Sequence, residues 1–266
     1  MKYKSDKSGW PIVLEDIDLC KVNQAEINQI GKLLATNVVV VAKNQSLSID
    51  DEIRVLKMFD DLYRFDVENN PEDSPYKNCI VEDSNQWLVR VTGELDSSGN
   101  IGFAADNDGI GWHLDNVRSS NRRSLTWLYG VHGTDGSKTI YTNTLMAFQD
   151  LGEEIQTRLR SLTLDVNSEH YFPKIVQSNK FQIDGLYFPF RQFLSIKDMS
   201  AEENKELITL LTNHILQEKY MYTHDWNDGD VLIADQWFGI HKREYFSNMD
   251  KRLLHRAYIN YPRDIE

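Results

Sequence analysis

Long apolar runs are missing from this sequence of 266 residues. The longest, NVVVVA at 37–42, is far shorter than the roughly 20 residues that a membrane-spanning helix needs. The first residues, MKYKSDKSGW, also lack the apolar centre of a signal peptide. We therefore expect a cytoplasmic protein that does not act in a membrane.

Cysteines and basic clusters are also scarce. The two cysteines, Cys20 and Cys79, are too few for a disulfide framework and do not form a CxxC motif, so we expect buried thiols. Lysine and arginine number 29 against 41 aspartate and glutamate, which gives a net charge of −12. This balance, without any basic run, argues against tight binding of nucleic acid, and the excess of acidic residues is explained by solubility.

Linkers and internal repeats are absent, which predicts a single domain over residues 1–266. Helical spacing of apolar residues predicts helices at 23–36, after Ser48, at 144–162 and at 200–219, where Ser200 and Glu203 form a capping box. Runs rich in Val, Thr, Tyr and Leu predict strands at 37–42, 87–95, 124–132, 139–144, 229–236 and 253–261. The expected fold class is α+β, with a barrel or sandwich at its centre.

The segment GIGWHLDN at 109–116 contains a candidate metal motif. If it forms a strand, His113 and Asp115 project from the same face, because side chains alternate with period two. A second histidine would complete the two-histidine, one-carboxylate set that binds non-haem Fe(II). Alone, however, the pair is weak evidence for a metal site, because a surface His followed by a turn Asp arises by chance in many chains of this size.

The C-terminal region supplies further candidates. His241 follows an apolar strand, and Arg252 and Arg256 lie four residues apart on the next one, so both guanidinium groups can face one cavity. The planar fork of arginine pairs well with a carboxylate and stays charged when partly buried. His255 has an odd offset from both arginines, so we expect it on the opposite face as a packed or solvated histidine rather than a metal ligand.

Five segments, in this order and spacing, resemble the taurine dioxygenase (TauD/TfdA) family of Fe(II)- and 2-oxoglutarate-dependent oxygenases. They are VVVVAKNQSLSIDDEI, GWHLDN, GSKTIYTNTLMAFQDL, WNDGDVLIADQWFGIHKR and RLLHR. The resemblance implies a double-stranded β-helix, or jelly-roll, core with flanking helices. Relatives are often dimers or tetramers, so a homo-oligomer is compatible with the resemblance, but the sequence does not give the oligomeric state.

The resemblance also implies roles for individual residues. His113, Asp115 and His241 would bind Fe(II), and Arg252, assisted by Thr139, would pair with the distal carboxylate of 2-oxoglutarate. Arg256 would meet an anionic group of the substrate, support the co-substrate, or form a salt bridge in the barrel wall. The chain departs from the family with Gln236 in place of a frequent Asn. It keeps a carboxylate at 115, which favours hydroxylation over halogenation.

The implied activity uses O2 and 2-oxoglutarate to hydroxylate a C–H bond of a small polar metabolite, amino-acid-like or anionic, with release of succinate and CO2. Desaturation and oxidative cleavage stay open, as do a zinc hydrolase using the same ligands and a catalytically silent binding protein. The segment DGLYFPFRQF at 184–193 is interpreted either as a lid or pocket wall or as a strand packed on the core. The substrate-binding candidates are Arg256, Trp112, Asn116, Asn107 and Arg191.

Overall fold

The computed structural model describes residues 1–6, 8–115, 123–166, 171–192 and 195–265. Its helices are α1 (Gln24–Asn37), α2 (Ile49–Leu56), α3 (Thr144–Gln149), α4 (Glu153–Ser161) and α5 (Ala201–Ile215). Its strands are β1 (Lys2–Lys4), β2 (Ile12–Glu15), β3 (Val39–Ala42), β4 (Val89–Val91), β5 (Ile110–His113), β6 (Leu125–His132), β7 (Lys138–Asn143), β8 (Leu164–Asp165), β9 (Val176–Ser178), β10 (Asp184–Leu186), β11 (Ser195–Ile196), β12 (Met221–Asp225), β13 (Val231–Asp235), β14 (Gly239–Arg243) and β15 (Leu253–Ile259). No helix in these described ranges is long and apolar enough to cross a membrane.

Two sheets form the centre of the fold. The larger has seven strands in the order β1-β2-β3-β13-β6-β15-β4, and the smaller has four in the order β12-β7-β14-β5. Every pairing in these sheets is antiparallel except that of β2 with β3. Two antiparallel sheets with helices around them form the jelly-roll, α+β architecture that the sequence predicts, so the fold class is confirmed.

The large sheet is buried on both faces, because successive side chains of its strands point alternately into two hydrophobic clusters. Val40 of β3 and Ile233 of β13 pack with helix α1 in one hydrophobic cluster, whereas Val41 and Leu232 belong to a second cluster. That second cluster also contains Tyr141 of the small sheet. The inner face of the large sheet therefore faces the small sheet, and the space between them is where a cavity can form.

The caps of the helices follow their sequences. Ser48 caps α2, and Ser200 with Glu203 caps α5 in the predicted capping box. A capping box of Asn23 and Glu26 opens α1. Because each box satisfies backbone N–H groups that the first turn leaves free, it sets where the helix begins.

Two predicted elements differ from the structure. The single helix expected at 144–162 is two helices, α3 and α4, because Gly152 adopts an extended conformation at the N-cap of α4. Just before it, Asp150 accepts hydrogen bonds from Lys219 and Tyr220. The strand expected at 87–95 is limited to Val89–Val91. Contacts with a distant part of the chain thus accompany the break between α3 and α4.

Candidate active site

Three potential metal ligands converge on the small sheet. His113 of β5 pairs directly opposite His241 of β14, and Asp115 follows two residues after His113. One ligand atom from each residue lies within 4.8 Å of the other two. The structure therefore brings together the three residues that the sequence nominates, and two histidines with one carboxylate suit a divalent iron ion.

Both imidazole rings are oriented by the backbone. Nδ1 of His113 lies 2.7 Å from the Gly111 carbonyl oxygen, and Nδ1 of His241 lies 3.2 Å from that of Gly239. With the ring proton on Nδ1 and donated to the carbonyl, Nε2 keeps its lone pair for a metal. Burial, and then the neighbouring His113, lowers the pKa of His241 to about 4, so this ring is neutral at pH 7.

A cavity of about 540 Å³ lies between the two sheets and includes the three ligands. The small sheet contributes Thr139, Tyr141 and Arg243 to its wall. The large sheet contributes Thr126, Leu128, Ala234, Leu254 and Arg256, and Arg252 lines it from the residue just before β15. Its volume is in the range of cavities that hold small molecules. It can accommodate a co-substrate and a small substrate next to the cluster.

Arg252 is the most deeply buried of the three arginines that line this cavity. Its side chain is 2% exposed, yet in the described part of the chain no carboxylate pairs with it and its Nε has no hydrogen-bond partner. Nη1 lies 3.3 Å from the Met249 sulfur. Burial, followed by the charge of Arg243, lowers its pKa to about 9, which leaves it a cation at pH 7. Because a buried cation without an anion is costly, this group fits a carboxylate of a bound ligand.

Thr139 lies on β7 in the same cavity. Its Oγ1 accepts a hydrogen bond of 3.0 Å from Nε1 of Trp226. An indole N–H can only donate, so the hydroxyl proton of Thr139 is free to be donated elsewhere. This placement fits the predicted role beside Arg252 as a second donor to the co-substrate.

Arg256 stands next to the metal cluster, with Nη1 3.9 Å from Oδ2 of Asp115. Its guanidinium carbon lies 5.3, 4.4 and 5.1 Å from the ring centres of Tyr76, Phe103 and Tyr258. Nε and Nη2 are buried and lack hydrogen-bond partners among the described residues. The group is thus held rigidly by the rings and keeps donors for an anion.

The other substrate candidates lie elsewhere. Trp112 alternates with His113 along β5, so its ring packs towards Phe190 and Lys242 and does not line the cavity. Asn107 is exposed and its backbone oxygen accepts a bond from Phe246, so it also is not part of the cavity wall. Asn116 and the side chain of Arg191 lie outside the residues that the structure describes.

Of the segment 184–193, residues 184–192 are described, and they serve mainly as core. Tyr187 and Phe188 are buried in a hydrophobic cluster with α5, which confirms the packing interpretation for these residues. Gln192, however, lines the cavity, with Nε2 donating to the Leu114 carbonyl at 2.7 Å and Oε1 buried without a partner among the described residues.

Several cavity residues were not nominated from the sequence: Tyr76, Phe103, Gln192 and Arg243. Tyr76 and Phe103 come from an irregular region whose position depends on tertiary contacts, so no local pattern identifies them. Arg243 is different, because it follows His241 by two residues on a strand and period two alone places it on the same face.

His255 faces away from the cluster, as the strand offset predicts. Its Nδ1 lies 2.6 Å from Oε1 of Glu52, which is fully buried, and Oε2 of Glu52 accepts a bond from Trp127. It therefore belongs to the core on the outer side of the large sheet and not to the metal cluster.

In the turn between β6 and β7, the backbone of Gly133 lies close to the backbone of Lys251 and Arg252. Gly133 has φ +63°, and a Cβ there would lie 1.9 Å from the Lys251 carbonyl oxygen. We expect Gly133→Ala to lower the free energy of unfolding by about 2–4 kcal/mol, from the positive φ and from overpacking. It should also weaken 2-oxoglutarate binding, because Lys251 must move. Urea unfolding and co-substrate titration measure the two effects.

Gly136→Ala is the matched control for this turn. Gly136 also has positive φ, but nothing lies within 4 Å of a Cβ built there. We expect Gly136→Ala to lower the free energy of unfolding by about 1 kcal/mol and to leave the affinity for 2-oxoglutarate unchanged. If both variants lose the same free energy of unfolding and the same affinity for 2-oxoglutarate, the contact of Gly133 with Lys251 has no role.

A jelly-roll core, a His-Asp-His cluster and a buried arginine without a carboxylate partner among the described residues are the features expected of a 2-oxoglutarate-dependent dioxygenase. Comparison with solved structures agrees on the fold. A taurine dioxygenase from Burkholderia xenovorans superposes with a TM-score of 0.75 at 18% identity, covering 96% of this chain and 89% of that one. AAD-2, solved in complex with Mn(II) and N-oxalylglycine, superposes with a TM-score of 0.78 at 15% identity, covering 98% and 99%.

The family described as "Taurine catabolism dioxygenase TauD, TfdA family" matches residues 5–258, and the chain belongs to this family. It is 24% identical over 271 aligned positions to an alpha-ketoglutarate-dependent 2,4-dichlorophenoxyacetate dioxygenase of Cupriavidus pinatubonensis, covering 92% of both proteins. It is also 20% identical to pentalenolactone F synthase of Streptomyces arenae, covering 65% of this chain and 68% of that protein. The kind of reaction is therefore a 2-oxoglutarate-dependent dioxygenation rather than hydrolysis.

Proposed function

We propose that the protein is an Fe(II)- and 2-oxoglutarate-dependent hydroxylase of a small molecule that carries an anionic group. The main support is the position of Arg252, a buried cation without a carboxylate partner in the described residues, in the same cavity as His113, Asp115 and His241. In this proposal the three ligands hold Fe(II), while Arg252 and Thr139 bind the distal carboxylate of 2-oxoglutarate.

Bound iron and 2-oxoglutarate would supply O2 activation, in which oxidative decarboxylation to succinate and CO2 is coupled to hydroxylation of a substrate C–H bond. The protein's own contribution is to bind and orient. Backbone carbonyls hold the two imidazole rings, Arg252 fixes the co-substrate, and the apolar walls limit access of water to the reacting atoms.

The substrate class follows from two groups near the cluster. Arg256 offers unpaired guanidinium donors, which suit a carboxylate or sulfonate. Oε1 of Gln192 offers an acceptor, because Nε2 of the same side chain is occupied by Leu114. A small molecule with an anionic end and an N–H or O–H donor, such as an amino acid, satisfies both. The relative from Cupriavidus pinatubonensis is named for a carboxylate substrate, which agrees with the anionic end.

A screen of amino acids, sulfonates and other small acids for substrate-stimulated succinate formation tests this assignment. With the best substrate found, we expect Arg256→Gln to raise KM for that substrate by about tenfold to a hundredfold, since a charge-assisted hydrogen bond is lost. The uncoupled turnover of 2-oxoglutarate should stay within about threefold of the wild-type rate, because Arg252 carries the co-substrate.

Arg160→Gln is the control, since Arg160 forms an exposed ion pair with Asp184 at 2.9 Å and does not line the cavity. It should leave the KM for the substrate and the KM for 2-oxoglutarate unchanged. An Arg256→Gln variant whose KM rises only for 2-oxoglutarate would instead assign Arg256 to the co-substrate and contradict the anionic-substrate proposal.

A further inference from the structure

Arg243 is a third buried arginine of the cavity, beside Arg252 and Arg256, and no role was predicted for it from the sequence. It is 8% exposed, and it lies at the end of β14, two residues after His241. Across the ladder it pairs directly with Thr139, just as His241 pairs with Tyr141. Side chains directly opposite each other on one face have Cβ atoms about 5 Å apart. Arg243 is therefore a neighbour of the residue nominated to bind the distal carboxylate.

The donors of Arg243 are only partly used. Nη1 donates to one backbone carbonyl and Nη2 to two, at Ala104 (2.6 Å), Asp106 (2.5 Å) and Asp108 (2.5 Å). These bonds fix the plane of the guanidinium group. Nε is buried and has no partner within the described ranges, although a buried N–H is normally satisfied. A rigidly held arginine thus keeps one donor for a group that the protein does not provide.

The loop that holds Arg243 adjoins the turn that carries Arg252. Gly93 donates its N–H to the Met249 carbonyl at 2.8 Å, and a Cβ on Gly93 would lie 2.9 Å from the Ala105 carbonyl oxygen. The two guanidinium groups therefore approach the same end of the cavity, and both line it. Burial, and then the charge of Arg243, lowers the pKa of Arg252, as expected for two neighbouring cations without a neutralising anion in the part of the chain that the structure describes.

We propose that Arg243 is a further co-substrate-binding residue, whose Nε–H donates to the distal carboxylate of 2-oxoglutarate together with Arg252 and Thr139. This inference rests on the proposed function. It makes the subsite a clamp of two arginines, one held by the loop of residues 104–108 and one by the turn before β15. The consequence is a strong selection for 2-oxo acids that have a second carboxylate.

The test compares two ligands that differ only at that end. Dissociation constants of 2-oxoglutarate and of 2-oxopentanoate, which has a methyl group in place of the distal carboxylate, are measured by anaerobic titration of the Fe(II)-loaded protein. We expect Arg243→Gln to reduce the preference for 2-oxoglutarate by about tenfold to a hundredfold and to leave 2-oxopentanoate binding within about threefold. Glutamine retains amide donors for the loop carbonyls. Lys242→Gln, on the opposite face of the same strand, should leave the preference unchanged.

Two results for Arg243→Gln would overturn the inference. An unchanged preference would mean that Nε makes no contact with the carboxylate, and an equal loss for both ligands would mean that Arg243 only holds the loop. Absence of any wild-type complex with 2-oxoglutarate would instead overturn the proposed function, and this inference with it.

Arg252→Gln provides a measurement that does not depend on whether Arg243 variants fold. If Arg243 also binds the carboxylate, this variant keeps a residual preference for 2-oxoglutarate of about tenfold. If Arg252 is the sole arginine in contact, the preference disappears, and the proposed role of Arg243 is wrong.

Discussion

Replacing His113 by alanine is expected to abolish Fe(II)-dependent succinate formation. His113 and His241 occupy opposite positions on adjacent strands, and together with Asp115 they form the cluster whose ligand atoms lie within 4.8 Å of one another. Two remaining ligands hold a divalent ion poorly. Because the Lewis-acid contribution of a metal amounts to several kcal/mol, we expect activity to fall on the order of a thousandfold. Succinate assays and iron analysis of the purified variant measure this.

His132→Ala is the matched control for the loss of a histidine. His132 lies at the exposed end of β6, 3.0 Å from Glu94, and does not line the cavity. Iron content and turnover should match the wild type. If His113→Ala retains iron and forms succinate within about tenfold of the wild-type rate, the metal site that we propose is wrong.

The metal cluster could be predicted from the sequence because each of its members lies in a recognisable local pattern. Period two indicated that His113 and Asp115 share a face, although β5 ends at His113 and Asp115 follows it by two residues. The apolar run before His241 indicated that this histidine follows a strand and a turn, and it lies on β14. Their convergence is a long-range property of the small sheet, in which β14 lies between β5 and β7. The family resemblance supplied this step, since no spacing rule gives the pairing of distant strands.

The residues that line the cavity next to the metal cluster were harder to predict, because tertiary contacts decide which of them face it. Trp112 is next to a ligand in sequence, yet alternation directs it away from the cavity, and it packs against Phe190. In contrast, Tyr76 and Phe103 reach the cavity from irregular segments and pack against Arg256. Their positions are fixed by tertiary contacts with Tyr258 and Phe65 rather than by their neighbours in sequence.

The break between α3 and α4 shows that distant contacts also decide where a predicted helix ends. Apolar spacing runs through residues 144–162 without a proline, which favours one helix. The side chain of Asp150, however, bonds with Lys219 and Tyr220, and Gly152 opens α4 from an extended conformation. The cost of ending a helix is offset here by contacts with a segment about seventy residues away, as those two hydrogen bonds show, and such contacts have no local signature.

Glu52→Ala is expected to cause the largest loss of stability, about 3–5 kcal/mol in the free energy of unfolding. Glu52 lies on α2, is 0% exposed, and accepts from Trp127 at 3.2 Å through one oxygen while the other lies 2.6 Å from Nδ1 of His255. Alanine would leave two buried nitrogen groups without a partner and a cavity between α2 and the large sheet. Both effects destabilise the core, because desolvated polar groups and lost packing contacts each carry a cost.

Urea unfolding of Glu52→Ala and of Asp50→Ala separates this effect from a general sensitivity of α2. Asp50 is exposed in the first turn of the same helix, so its replacement should change stability by no more than about 0.5 kcal/mol. Iron binding by folded Glu52→Ala should equal that of the wild type, because His255 faces the outer core and not the cluster. Similar stability of the two variants would mean that the buried carboxylate is not what holds α2 to the sheet, whereas lost iron binding in the folded variant would mean that the two faces of β15 are coupled.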